Sequence, residues 1–206
     1  MKEMTKLKIC GIRRLEDTEI LNTIQPDFAG FVFADSKRQV TFDEARTLRR
    51  DLDNSIQTVG VFVDAELNFI QKLVEEGVIQ YIQLHGAEDS RYIQALREKT
   101  AVPIIKATRV FSRNDVEEET HADIVLYDAY HKELRGGTGE TFNWNLLKGK
   151  TDNYFLAGGL TAENIQKAIR QLNPYAVDVS SGVETNGYKD KEKLIELKKN
   201  IQEAAK

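Results

Sequence analysis

The side chains able to move a proton or hold an anion stand, in this sequence, directly after short apolar runs. Cys10 closes the run 7–10, Asp128 follows 124–127, His85 follows Gln83 and Leu84, and Asp178 lies within 176–179. A thiol at such a place either packs as a small buried apolar residue or serves as a base or nucleophile, and position leaves both open. The thiolate is the active form. With an ordinary pKa of ~8.5, only a few per cent of a thiol is ionised near neutrality, so a reactive Cys10 needs electrostatic help. A carboxylate placed directly after a buried strand is an acid or base candidate, because partial burial raises its pKa. Arg38, in the Ser36-Lys37-Arg38 stretch, carries a fork suited to a carboxylate, although a single loop arginine is commonly only solvated. His85 is a ligand contact or a partner to its neighbours. Lys106 is an electrostatic, structural or Schiff-base lysine. His121 and His131 lie in polar stretches and receive no role.

Glycine-rich loops make a second group. Gly158 and Gly159 follow the run 154–157, Ser180, Ser181 and Gly182 follow 176–179, and Gly137 and Gly139 lie in the stretch 136–139 (GGTG). Glycine lets a backbone approach a ligand closely, and helix starts present unpaired N–H groups to anions. One such loop reads as a turn. Three together point to a phosphate.

These residues need a frame that brings strand ends to one place. Eight short, nearly continuous apolar runs occur, at 7–10, 28–33, 58–63, 79–84, 102–107, 123–127, 154–157 and 176–179. Continuous runs suit strands buried on both faces, as in a parallel sheet. Helical stretches lie between them. Thr41 and Glu44 form a capping-box pattern, Asp64 reads as an N-cap for a helix through Leu67, Ile70 and Val74, a further helix spans 88–99, and Thr161 caps 162–172. Leu194, Leu197 and Ile201 make the apolar stripe of a last helix. The stretches 111–120 and 142–148 are expected to hold only short or irregular helix, with Trp144 packing. Eight β-α units predict one domain, 1–206, folded as a (β/α)8 TIM barrel with short connections, whose reactive residues sit at the C-terminal strand ends. The loops after strands seven and eight of such a barrel are a recurrent phosphate site. An open doubly wound sheet is the competing frame, but the first turn, 10–13 (CGIR), lacks its G-x-G-x-x-G pattern.

Composition narrows the partners. The 206 residues carry 29 Lys+Arg against 33 Asp+Glu, a net charge of −4, which argues against a broadly basic nucleic-acid binder. No run approaches the ~20 apolar residues of a membrane span. The single cysteine excludes an internal disulfide and fits a reducing, cytoplasmic compartment. One cysteine and three histidines give little support for a zinc site, so no metal is expected.

The motifs in order resemble the phosphoribosylanthranilate isomerases. They are 8–11 (KICG), 30–33 (GFVF) with 36–38 (SKR), 59–62 (VGVF), 83–86 (QLHG), Asp128 with 136–139 (GGTG) and Phe142, 157–160 (AGGL), and 177–184 (VDVSSGVE) with Gly187. The resemblance implies an Amadori rearrangement, an aldose-to-ketose isomerisation of a phosphorylated aminosugar in tryptophan biosynthesis, with no metal or redox cofactor. It implies Asp128 as general acid and Cys10 as general base. It implies Arg38 on the anthranilate carboxylate, with His85 and Asp178 binding substrate, and a phosphate held by Gly137, Gly139, Gly158, Gly159, Ser180, Ser181 and Gly182. Another phosphosugar barrel enzyme would share that grip, but not the combination of Cys10, Arg38 and Asp128. A decayed, non-catalytic barrel would have lost the acid, the base or the glycines. The partner implied is a small phosphosugar, with no nucleic acid or membrane. A monomer is the default state and a homodimer the alternative.

Overall fold

The structure is a computed structural model that describes residues 4–117, 119–128, 144–151 and 153–204. The apolar runs become eight strands: β1 (Lys6–Cys10), β2 (Phe28–Val32), β3 (Gln57–Phe62), β4 (Tyr81–Leu84), β5 (Ile104–Arg109), β6 (Ile124–Asp128), β7 (Tyr154–Ala157) and β8 (Ala176–Val179). Their order is a closed barrel, β1 through β8 in sequence. The registers of β1 with β2, β2 with β3, β3 with β4, β4 with β5 and β7 with β8 are parallel. Ala29, Phe31, Val59, Phe62, Ile82, Leu84, Phe155, Leu156, Ala176 and Val177 are buried, so successive residues face either interior or helices. That accounts for the nearly continuous apolar runs, since a sheet wetted on one face would alternate.

Helices α1 (Leu15–Ile24), α2 (Phe42–Asp51), α3 (Leu67–Glu75), α4 (Ser90–Arg97), α5 (Arg113–Glu117), α6 (Ala162–Leu172) and α7 (Lys191–Ala204) alternate with the strands. The capping box at α2 forms: Thr41 N–H donates to Glu44 Oε2 at 2.7 Å and Glu44 N–H to Thr41 Oγ1 at 3.3 Å. Among the described residues of 111–120, helix is confined to the five of α5, and Trp144–Leu147 is one 3₁₀ turn with Trp144 buried. Leu194, Leu197 and Ile201 are the buried stripe of α7.

Details depart from the sequence reading, among them the helix expected over 88–99, which spans Ser90–Arg97 with Asp89 as its N-cap. Asp64 does not cap α3; the N-cap is Glu66, and Asp64 adopts a left-handed conformation at φ 48°. Its side chain is engaged elsewhere, accepting from the N–H of Ala87 at 2.9 Å. The chain also forms an unforeseen hairpin between β8 and α7, β9 (Glu184–Thr185) against β10 (Tyr188–Lys189).

Two compact units divide the chain. One comprises Met1–Leu7, Thr108–Glu119 and Leu126–Lys206, the other Lys8–Ala107 and Thr120–Val125. Among the described residues no helix is long and apolar enough to cross a membrane.

Candidate active site

Cys10 and Arg38 belong to the second unit, and glycines make room for both. Cys10 is the last residue of β1, half-buried, paired in register with Gly30 of β2. A Cβ on Gly30 would lie 2.9 Å from Cys10 Sγ, so any larger residue there displaces the thiol. Gly30 O accepts from both Gly11 and Ile12 N–H, at 2.9 and 3.0 Å, which fixes the turn leaving β1. Gly11 has φ 85°, and a side chain on it would collide with the aliphatic stem of Arg38. The Arg38 loop is pinned from two sides: Val40 N–H donates to Val32 O at 2.9 Å, and Arg13 Nη1 to Lys37 O at 3.0 Å. A thiol at the end of β1 and a guanidinium on the loop after β2 are thus held beside the same turn.

The ends of β3, β4 and β5 are tied by a residue the sequence reading overlooked. The Glu88 side chain is fully buried. Its Oε1 accepts from Asp64 N–H at 2.9 Å; its Oε2 accepts from Gly86 N–H at 2.9 Å and from Lys106 Nζ at 2.8 Å. Lys106 Nζ also donates to Gly86 O at 2.8 Å. Burial pushes the Glu88 carboxyl up, but the hydrogen bonds from Lys106 and from the Asp64 backbone outweigh it and hold the group below its usual value. Lys106 is therefore an ion-pair partner, which leaves its Schiff-base alternative without structural support. Gly86 is required for closeness: a Cβ there would stand 2.7 Å from Asp64 Oδ1. This clasp sets the backbone that carries His85, whose N–H donates to Phe62 O at 2.8 Å. The His85 ring places Nδ1 3.1 Å from Nε2 of the buried Gln83.

The other unit carries Asp128 and two of the glycine loops. Asp128 is the last residue of β6 rather than the first beyond it, half-buried, with its carbonyl accepting from Val110 N–H at 3.2 Å. Gly158 and Gly159 follow β7 with φ of 92° and 62°. Asn164 holds their turn, donating to Gly159 O at 2.9 Å and accepting from Thr161 N–H at 2.9 Å. Asp178 is buried within β8. Ser180 leads into the 3₁₀ turn Ser181–Val183, and Gly182 lies so close to Leu160 O that no side chain fits between the loops after β7 and β8. Gly137 and Gly139, the third glycine stretch, lie outside the described residues, as do Phe142 and His131.

Within each unit the candidates follow the strand order: Cys10 and Asp128 are the last residues of β1 and β6, Asp178 lies in β8, and Arg38, His85, the Gly158–Gly159 pair and Ser180–Gly182 stand on the loops after β2, β4, β7 and β8, the side of a parallel barrel where such folds place their chemistry. That is the class: a (β/α)8 barrel enzyme. The family model for N-(5'phosphoribosyl)anthranilate (PRA) isomerase matches residues 7–200. The N-(5'-phosphoribosyl)anthranilate isomerase of Endomicrobium trichonymphae is 48% identical over 199 residues, covering 97% of this chain and 99% of the relative. The crystal structure of the phosphoribosyl anthranilate isomerase of Thermotoga maritima superposes with a TM-score of 0.85 at 34% identity, covering 97% of this chain and 100% of the other. A further phosphoribosyl anthranilate isomerase, solved in complex with reduced 1-(o-carboxyphenylamino)-1-deoxyribulose 5-phosphate, gives 0.82 at 33% identity, with the same coverage. The chain belongs to the N-(5'-phosphoribosyl)anthranilate isomerase family and is an intramolecular isomerase.

Proposed function

We propose that this chain, acting as one catalytic barrel domain, converts N-(5-phosphoribosyl)anthranilate into 1-(2-carboxyphenylamino)-1-deoxyribulose 5-phosphate in tryptophan biosynthesis. The observation that carries the reading is the presence of Cys10 and Asp128 as last residues of β1 and β6, with Arg38 on the loop after β2, in a member of this family. Asp128, as the acid, delivers its proton to the furanose ring oxygen. The bond from C1 to that oxygen breaks, and the nitrogen lone pair forms an iminium at C1. The iminium makes the C2 proton acidic, and Cys10, as thiolate, removes it. The electron pair moves into the C1–C2 bond and neutralises the nitrogen, giving an enolamine. Protonation at C1 and loss of the C2 hydroxyl proton then yield the ketone, with no net change in composition. An acid and a base of this kind contribute on the order of 10²–10⁴-fold in rate.

Arg38 pairs with the anthranilate carboxylate, and its constraint by Gly11 limits the poses the ring can take. His85 and Asp178 line the sugar. The loops at Gly158–Gly159 and at 180–182, with Gly137 and Gly139, take the phosphate. The partner is this small phosphosugar, and the reading includes a cytoplasmic, monomeric enzyme.

The test is steady-state loss of anthranilate-type fluorescence, with substrate generated in situ and indole-glycerol-phosphate synthase drawing product forward. Wild-type turnover is expected, with kcat lower by two or more orders of magnitude in Cys10→Ala and in Asp128→Asn. Near wild-type turnover in either folded variant removes that residue's role. A folded wild type without turnover removes the substrate.

A further inference from the structure

The hairpin β9–β10 holds an ammonium group that the chemistry above does not use. The Lys189 side chain is 1% exposed and its partner Glu184 6%. Lys189 Nζ donates to Glu184 Oε1 at 2.9 Å and to the carbonyl oxygen of Ser180 at 3.1 Å. Removing two charges from water carries a desolvation cost that their attraction need not return, and apolar residues of similar volume commonly hold such a place as well or better. Stability is thus a weak reason for a buried pair here. What an apolar pair lacks is the third contact, the bond to Ser180.

We infer that Lys189 is a positioning residue for phosphate binding: its buried ammonium fixes the Ser180–Ser181 peptide so that the loop after β8 meets the phosphate in one orientation. The inference rests on the reading of that loop as part of the phosphate grip. In a trans peptide the carbonyl and the following N–H point in opposite directions. Drawing Ser180 O onto Lys189 therefore turns the Ser181 N–H away from the ammonium. Val183 N–H donates to the same oxygen at 3.4 Å, and Gly182 abuts Leu160 O, so the peptide is held from three sides.

The hairpin is built to deliver the ammonium. Asn186 and Gly187, at φ 53° and 80°, make the two-residue turn whose twist matches paired strands. The register sets Lys189 opposite Glu184. Lys193 Nζ donates to Glu184 O at 2.8 Å, and Asp190 N–H to Val183 O at 2.9 Å, which anchors both ends.

The experiment compares wild type, Lys189→Met and the double variant Lys189→Met/Glu184→Gln. It reads kcat and KM for phosphoribosylanthranilate, and the inhibition constants of inorganic phosphate and of anthranilate. The double variant removes the charge that the single one leaves buried, so it serves where the single variant does not fold. Expected are rises of roughly tenfold in KM and in the phosphate constant, the worth of one hydrogen bond to a charged group, with kcat within about threefold and the anthranilate constant unchanged. A general loosening of the site would move both inhibition constants together and overturns the inference. So does a folded variant with unchanged KM and phosphate constant. Wild type that turns over yet shows no competitive inhibition by phosphate overturns the phosphate reading as well, which separates the two failures.

Discussion

Lys106→Met tests the clasp at the ends of β3, β4 and β5. The substitution keeps most of the stem volume and removes the ammonium that meets Glu88 Oε2 at 2.8 Å and Gly86 O at 2.8 Å. Glu88, fully buried, is left with two backbone N–H donors and no cation. Removing one partner of a buried pair costs about 3–5 kcal/mol, and the two surviving donors place this case at the lower end, about 3. At roughly 2–4 °C per kcal/mol for a chain of this length, Tm falls by about 6–12 °C at pH 7, followed by circular dichroism. The pH dependence has a definite sign. The folded-state pKa of Glu88 is lowered, so its contribution is present above the ordinary carboxylate range of ~4.3 and is lost as pH falls through the lowered value. The gap between variant and wild type therefore narrows as pH falls through the carboxylate range towards that lowered value. Adding Glu88→Gln to Lys106→Met removes the stranded charge and recovers part of the loss. A Tm change under 2 °C at pH 7, or a gap that persists at acid pH, refutes the account.

Gly30→Ala puts a carbon 2.9 Å from Cys10 Sγ, and a shift of the thiol near 1 Å is expected to lower kcat by about 10²-fold with the fold intact. Steady-state kinetics on folded protein check it, and unchanged kcat shows that Gly30 does not set the thiol. Tyr154→Phe removes a buried hydroxyl that donates to Leu172 O at 2.9 Å and is expected to cost about 1–2 kcal/mol without affecting turnover, read by urea unfolding.

The barrel is legible in this sequence because both strand faces are buried, so most strands are nearly continuous apolar runs needing no long-range information. The bounds of α6 are legible for a local reason also: Thr161 and Asn164 start it, and Asn173 in the left-handed region ends it. Glu88 is hidden for the opposite reason. It sits among polar residues at 86–90, where a carboxylate reads as solvated, and only Lys106, far along the chain, makes it a buried anion. Asp64 reads as a cap because its alternative partner, Ala87 N–H, is equally remote. The β9–β10 hairpin did carry a local signal, the Asn186-Gly187 dipeptide, but two-residue strands show no periodicity to support it.

The closed strand order has a consequence for how freely the loops can change. An open sheet ends in strands whose unpaired N–H and C=O groups invite other chains to add on, and natural sheets spend charges, prolines and bulges to prevent it. A barrel ordered β1 through β8 has no such margin. The strands outside it, β9 and β10, are two residues long, too short to template another chain. Substitution or lengthening in the loops at the strand ends therefore opens no strand edge, so changes there carry no cost of that kind.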